Sequence, residues 1–273
     1  MKLSACTRLL KNLCDPFTDE PEILKEMGFA GMDFDLNYSV SEKLGENWRS
    51  AAEKFAERSR EIGVTAVQTH LPYAYLKGVG PQGAEKRVMD EALEATKILG
   101  APYAVFHAVS TPDAADGLAA TYEYFMPVIE KARELGFEPL IEIMPDYVVY
   151  PNTAEYLVEA ADKMEIGVCW DFGHFNINKP RGENDQTAAL RLVGNRLKAV
   201  HVNDNFGTST DEHLVPFMGT VDWKTNLPIL REIGYDGEFN FEVLPFRVPK
   251  ELMMSFGKHL ALTGEYMIEL IGR

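Results

Sequence analysis

Cysteine, long apolar runs and positive charge, which would each favour a particular class of protein, are scarce in this sequence. Its 273 residues include only three cysteines, Cys6, Cys14 and Cys169, an odd number without a CxxC pair. We therefore expect reduced thiols. No apolar run approaches the ~20 residues that a membrane span needs. The first residues lead to Arg8 and Lys11 without the apolar core of a secretory signal. These absences predict a cytoplasmic protein with no membrane partner.

Positive charge is also scarce. The chain carries 27 Lys and Arg against 42 Asp and Glu, a formal net charge of −15. Such a balance favours solubility and repels polyanions. A protein that works on duplex DNA usually carries a basic surface, so we expect no nucleic-acid partner.

Strand-like and helix-like patterns alternate along the whole chain instead. Apolar runs typical of buried strands are predicted at Lys2–Cys6, Gly31–Leu36, Val64–His70, Tyr103–Ala108, Glu138–Ile143, Ile166–Asp171, Leu197–Val202 and Gly237–Val243. Amphipathic helical spacing is predicted at Trp48–Ile62, Glu85–Leu99, Thr121–Leu135, Thr153–Met164 and Trp223–Ile233, with a last helix near Lys250–Leu270. Several of these helices end in glycine, typical of a left-handed C-cap.

This alternation predicts an α/β protein with a single (β/α)8 barrel, one catalytic domain over residues 1–273. A doubly wound open sheet is the competing architecture. It would place a glycine-rich phosphate loop after an early strand, and residues 3–14 contain no glycine. The barrel places catalysis at the carboxyl ends of its strands.

Four charged or imidazole side chains lie at or near the ends of the last four predicted strands. They are Glu142, Asp171, His201 and Glu242, at intervals of 29, 30 and 41 residues. A buried charged group is costly unless something pairs with it. In a barrel these four would converge on one point. Three carboxylates and a histidine form a ligand set suited to a divalent cation.

Further polar residues accompany them. Five of the six histidines, all but His259, fall on segments predicted to form the catalytic face. Tyr73, Tyr75 and Phe106 are candidates for the wall of a substrate pocket, although aromatic residues also serve as core. Asp222, before Trp223, has the position of a helix N-cap.

The motifs around strands six to eight carry a resemblance to a known family. They read Asp-x-x-His from Asp171, His-x-x-Asp from His201, and Asp-x-His from Asp211 followed by Gly-Thr-Val-Asp-Trp. This pattern resembles the xylose isomerase-like TIM barrel superfamily, and more narrowly its sugar phosphate isomerase/epimerase branch, also called AP endonuclease family 2. The resemblance covers nearly the whole chain.

The resemblance implies one divalent metal ion, Mn²⁺, Zn²⁺, Co²⁺ or Mg²⁺, held by Glu142, Asp171, His201 and Glu242. It implies that Glu142 and Glu242 also move the proton, one on each face of a small carbohydrate substrate. We expect substrate contacts from a further set of side chains, His70, His107, His174, Asp204 and His213. Homo-oligomerisation stays open.

The function that this implies is a metal-dependent isomerase or epimerase of a sugar, or of a sugar-like polyol ketone, working by proton transfer through a cis-enediolate. Three alternatives remain. One is a lyase or dehydratase acting on an inosose or keto-glycoside. The second is an endonuclease IV-like phosphodiesterase with three zinc ions, whose ligand types are all present: His70, His107, Glu142, Asp171, His174, His201, Asp211, His213 and Glu242. The third is a barrel that binds sugar without catalysis.

Overall fold

Eight parallel strands close into a barrel in chain order. The computed structural model describes residues 1–73, 80–109, 114–144, 153–177, 185–208, 210–245 and 247–272. The strands are β1 Leu3–Cys6, β2 Gly31–Asp35, β3 Thr65–His70, β4 Tyr103–His107, β5 Glu138–Glu142, β6 Gly167–Asp171, β7 Leu197–Val202 and β8 Phe239–Phe241. The prediction of a single (β/α)8 barrel is confirmed, and the open sheet is excluded.

Helices follow the strands and surround the barrel. They are α1 Glu20–Met27, α2 Val40–Leu44, α3 Trp48–Ile62, α4 Gly83–Leu99, α5 Ala114–Leu135, α6 Thr153–Met164, α7 Phe172–Ile177, α8 Gln186–Val193, α9 Trp223–Glu232 and α10 Met253–Gly272. Short 3₁₀ turns occupy Thr7–Leu10, Gly194–Arg196 and Lys250–Leu252. Across the described ranges, none of the helices combines the length and apolar character needed to cross a bilayer.

The helix ends agree with the sequence signals. Gly63 and Gly100 follow α3 and α4 with φ of +85° and +73°, a left-handed conformation that glycine adopts without steric cost. The carboxylate of Asp222 accepts a hydrogen bond from the backbone N–H of Thr225, which confirms it as the N-cap of α9. Strand β8 is shorter than predicted because its pairing with β1 and β7 spans only Phe239–Phe241.

The apolar interior has two parts. A large cluster fills the space between the strands and the helices, with Phe34, Ile141 and Trp170 among its fully buried members. A small separate cluster contains one residue from each of the strands β4 to β7: Val105, Leu140, Cys169 and Ala199. Because side chains alternate along a strand, the residues two positions further on from these four point the same way.

Strand register brings the polar ends together. His107 of β4 pairs with Glu142 of β5, and Asp171 of β6 pairs with His201 of β7. Strand β7 carries one extra residue relative to β6, where the register shifts between Val168 and Cys169. A bulge of this kind re-aims the side chains that follow it.

Candidate metal centre

Four side chains from the last four strands meet at the carboxyl end of the barrel. Glu142, Asp171 and His201 lie at or next to the ends of β5, β6 and β7, and Glu242 follows β8 directly. One ligand atom from each lies within 4.8 Å of the others, and all four residues are buried. The structure thus brings together the four residues that the sequence singled out.

The imidazole of His201 is the centre of this cluster. Its Nδ1 lies 2.9 Å from Oε1 of Glu142, 3.0 Å from Oε2 of Glu242 and 3.9 Å from Oδ2 of Asp171. The opposite nitrogen, Nε2, is hydrogen-bonded to the side-chain amide of Gln68 at 2.7 Å. Sequence analysis missed Gln68, although it lies two residues before His70 on the same strand and therefore on the same face.

The carboxylates have unequal electrostatic environments. Burial opposes the charge of Glu142, but His201, together with His107 and hydrogen bonds from His107 and His174, holds the pKa of that carboxyl well below its usual range. The pKa of Glu242 is lowered for a similar reason, with His201 and His213 outweighing burial. Burial and the neighbouring Glu142 raise the pKa of Asp171 to about 6, against the opposing effect of His174. Two of the carboxylates are therefore held ionised.

The donor set fits a divalent cation. Oε2 of Glu242 is buried and, although Nδ1 of His201 lies 3.0 Å away, it accepts no well-aligned hydrogen bond within the described ranges, which suits a ligand atom of a cation site. Three carboxylates and one imidazole are hard to intermediate donors of the kind that Mn²⁺, Mg²⁺ and Zn²⁺ accept. The second oxygen of Asp171 is oriented by the side-chain amide of Asn203, which donates to it at 2.7 Å. Such outer contacts orient ligands in metal sites.

Two histidines flank Glu142 on the side of β3 and β4. Nε2 of His70 and Nε2 of His107 lie 3.2 and 2.9 Å from Oε2 of Glu142. The Nδ1–H of His70 donates to the carbonyl oxygen of Leu71 at 3.0 Å. Burial opposes the charge of His70, but Glu142 raises its pKa to about 9, whereas burial lowers the pKa of His107 to about 4. At neutral pH the pair therefore carries one positive charge, on His70.

A third group lies beside Glu242. Oδ2 of Asp211 is 3.2 Å from Nε2 of His174 and 2.7 Å from Nε2 of His213. Each histidine donates its Nδ1–H to a backbone carbonyl, that of Ile143 and that of Glu242 respectively. These carbonyl contacts direct both Nε2 atoms toward Asp211. Ligand atoms of the three residues also lie within 4.8 Å of one another.

Asp204 does not lie among these groups as an available side chain. It is fully buried, and both of its carboxylate oxygens accept hydrogen bonds. The donors are the backbone N–H groups of Asn205, Phe217 and Val221 and the indole N–H of Trp223. In this structure the carboxylate holds the loop between β7 and α9, and substrate contact by Asp204 stays a prediction.

The aromatic candidates differ in their position relative to the site. Tyr73 stacks on His107 with ring centroids 4.7 Å apart, so it borders the site. Phe106 stacks on Phe125 of α5, away from the site, and belongs to the core. Tyr75 lies outside the described residues.

Comparison with known proteins agrees with this geometry. Residues 21–254 match the family described as xylose isomerase-like TIM barrel. The chain belongs to this family. Members of the xylose isomerase-like family are therefore the proper reference for the fold and for the position of the site.

Among curated relatives, the uncharacterized protein y4fM of Sinorhizobium fredii is 28% identical over 164 residues, 57% of this chain and about half (51%) of that protein. A ketose 3-epimerase of Arthrobacter globiformis is 26% identical over 229 residues, 80% of this chain and 74% of that enzyme. A solved structure of D-psicose 3-epimerase with D-tagatose, from Clostridium cellulolyticum H10, shares the fold with a TM-score of 0.75. It is 16% identical, and the match covers 99% of both chains.

Proposed function

We propose that this barrel is a single catalytic domain, a divalent-metal-dependent isomerase or epimerase of a ketose or a related polyol ketone. The observation that carries the proposal is the meeting of Glu142, Asp171, His201 and Glu242 within 4.8 Å in a buried position. The similarity to a ketose 3-epimerase over 80% of the chain supports it. The distant epimerase structure supports only the fold on which the residues stand.

The four clustered residues would hold the cation. When bound, the cation polarises a carbonyl oxygen and stabilises negative charge that develops on the substrate. Asp171 and His201 have no other task in this proposal. Asn203 and Gln68 keep these two ligands in place through the hydrogen bonds described above.

Glu142 and Glu242 are proposed to move the proton. Both carboxyl groups have pKa values below the usual range, so each is ionised and able to accept a proton from the carbon next to a carbonyl. Removal of that proton by one glutamate produces an enediolate. The other glutamate takes up a proton from solvent and delivers it to the opposite face, which inverts the carbon, and the first glutamate then releases its proton to solvent. Two carboxylates that approach the substrate from different strands suit this exchange.

The flanking histidines are proposed to hold substrate hydroxyl groups. His70 and His107 lie on one side of Glu142, and His174 and His213 lie beside Glu242. Their Nδ1 atoms, where hydrogen-bonded to backbone carbonyls, leave Nε2 directed into the site. Tyr73 supplies an aromatic face at the edge of the same space.

The decisive experiment follows the proton. Metal-loaded protein is incubated in deuterated water with neutral ketoses such as D-psicose, D-tagatose, D-fructose and L-ribulose, and deuterium at the α-carbon is measured. Glu142→Gln and Glu242→Gln are expected to abolish exchange while the melting temperature stays near that of wild type. Glu94→Gln, on the outer face of α4, is the matched control. Full exchange in both site variants would refute the mechanism.

One second candidate has a specific observation in its favour. Nine ligand-type residues stand together as in a three-metal phosphodiesterase, because the His174, Asp211 and His213 group and the His70, His107 and Glu142 group flank the central four. The net charge of −15 speaks against a nucleic-acid substrate. Metal analysis separates the two: one equivalent per chain fits the isomerase and three fit the nuclease. A lyase would instead show loss of water or an aglycone from the substrate.

A further inference from the structure

The guanidinium of Arg8 lies beside the cluster of Glu142, Asp171, His201 and Glu242. Arg8 lies in the 3₁₀ turn Thr7–Leu10 directly after β1, and β1 pairs with β8, which leads into Glu242. Its Nη1 lies 3.3 Å from Oε1 of Glu242, and its side chain is 33% exposed. Arg8 therefore reaches both a buried carboxylate of the site and the solvent at its mouth.

The contact between Arg8 and Glu242 leaves most of the guanidinium unused. Among the described residues, this is the side-chain hydrogen bond that Arg8 makes, and a guanidinium has five N–H donors. A charge-assisted N–H···O bond is normally about 2.7–2.9 Å long, so the 3.3 Å contact is loose.

Arginines elsewhere in this protein behave differently. Arg49 forms two bonds of 2.6 Å with Glu94. Arg196 binds Asp162 through two atoms as well, at 2.5 and 2.7 Å. These surface arginines take the bidentate geometry that suits carboxylates. Arg8, whose side chain is as exposed as that of Arg196, does not.

The surroundings of Arg8 indicate what its free donors face. Burial works against its charge, but Cys6 and Glu242, followed by Tyr73 and Asp35, raise its pKa above the ordinary value. Tyr73 in turn stacks on His107. Arg8 thus lies within hydrogen-bond reach of Glu242 and close enough to Tyr73, which borders the site beside His107, to interact with it electrostatically.

We propose that Arg8 is a substrate-binding residue that donates to a hydroxyl oxygen of a neutral polyhydroxy ketone, next to the carbon that Glu242 deprotonates. This inference rests on the proposed function, since it concerns the same site. A neutral substrate is favoured over a phosphorylated one because the charge of Arg8 is balanced by Glu242 and Asp35. The site around it is otherwise rich in carboxylates, which repel a phosphate.

The test measures binding separately from chemistry. Isothermal titration calorimetry is carried out on Mn²⁺-loaded wild type, Arg8→Gln and Arg8→Lys, with the four neutral ketoses named above and with D-fructose 6-phosphate. Arg49→Gln is the matched control, an arginine paired with a glutamate on the helical exterior. Loss of one charged hydrogen bond predicts ketose binding about tenfold to hundredfold weaker in Arg8→Gln, a partial recovery in Arg8→Lys, and no change in Mn²⁺ stoichiometry.

Three results would overturn the inference: equal ketose affinity in wild type and Arg8→Gln, no binding of any neutral ketose to wild type, or tighter binding of the phosphorylated sugar. A merely structural role would lower the melting temperature of Arg8→Gln and reduce Mn²⁺ binding along with ketose affinity, which would also contradict it. Failure of the proposed function looks different. In that case wild type binds a ketose in an Arg8-dependent manner and exchanges no α-proton, and the role of Arg8 as a binding residue stands.

Discussion

Two layers of side chains inside the barrel differ sharply although the same strands build them. The lower layer is apolar and consists of Val105, Leu140, Cys169 and Ala199. Two residues further along the same strands stand His107, Glu142, Asp171 and His201. Two residues correspond to about 6.6 Å of strand. Two residues along each strand therefore separate the apolar lower layer, called the floor below, from the charged upper layer.

The two layers have different roles: the lower one stabilises the fold, and the upper one provides the candidate site. The floor removes apolar surface from water, which stabilises the fold. The layer above buries carboxylates that would be costly without partners, and the histidines supply those partners only in part, since Oε2 of Glu242, 3.0 Å from Nδ1 of His201, accepts no well-aligned hydrogen bond among the described residues. The floor supports the upper layer two residues further along the strands, and the side chains of the upper layer are available for a cation.

A cavity in the floor is expected to have the largest effect on stability. Leu140→Ala should reduce the free energy of unfolding by about 2 to 5 kcal/mol, the usual cost of truncating a fully buried leucine. Urea unfolding of the metal-free protein measures it. Leu262→Ala is the control, since Leu262 is 63% exposed. A loss as small as that of the control would show that the floor is not a stabilising layer.

Asp171 offers a test of the upper layer through pH. Its folded pKa of about 6 lies above the ordinary 3.8, so its contribution to stability is present below pH 3.8 and is lost as pH rises through 6. The shift corresponds to about 3 kcal/mol. Without metal, Asp171→Asn should therefore gain stability relative to wild type by about this amount between pH 4 and pH 7.

Denaturant unfolding at several pH values measures this relative change. Asp162→Asn, at an exposed ion pair with Arg196, is the control and should show no such gain. A stability difference between wild type and Asp171→Asn that stays constant across this pH range would show that ionisation of Asp171 does not destabilise the metal-free fold.

Gln68 provides the most selective change. Nδ1 of His201 faces the carboxylates, and the amide nitrogen of Gln68 lies 2.7 Å from its Nε2. When Nδ1 binds a cation, Nε2 carries the ring proton, and a 180° turn of the Gln68 amide presents its oxygen as the acceptor. Gln68→Leu should weaken Mn²⁺ binding about tenfold to hundredfold. Gln68→Glu, which keeps an acceptor, should retain more of the affinity. Equal affinity in wild type and both variants would show that His201 needs no such orientation.

Much of the fold was predictable because its signals are local. Strand positions followed from short apolar runs, and the ends of α3 and α4 followed from Gly63 and Gly100. Strand β8 was predicted too long, since its length depends on how far β1 and β7 extend beside it. The hydrogen bonds that both carboxylate oxygens of Asp204 accept within its loop were not predictable, because a position just after a strand looks the same in sequence whether or not its side chain holds a loop.

The sequence by itself determined the barrel and the four residues of the central cluster. Alternation of strands and helices selects the architecture, and a charged residue at the end of a buried strand is informative wherever it occurs. Only the tertiary structure decided which other residues join them. Arg8 and Gln68 reach Glu242 and His201 from 234 and 133 residues away in the chain. Such contacts depend on strand closure and register, which no local pattern encodes.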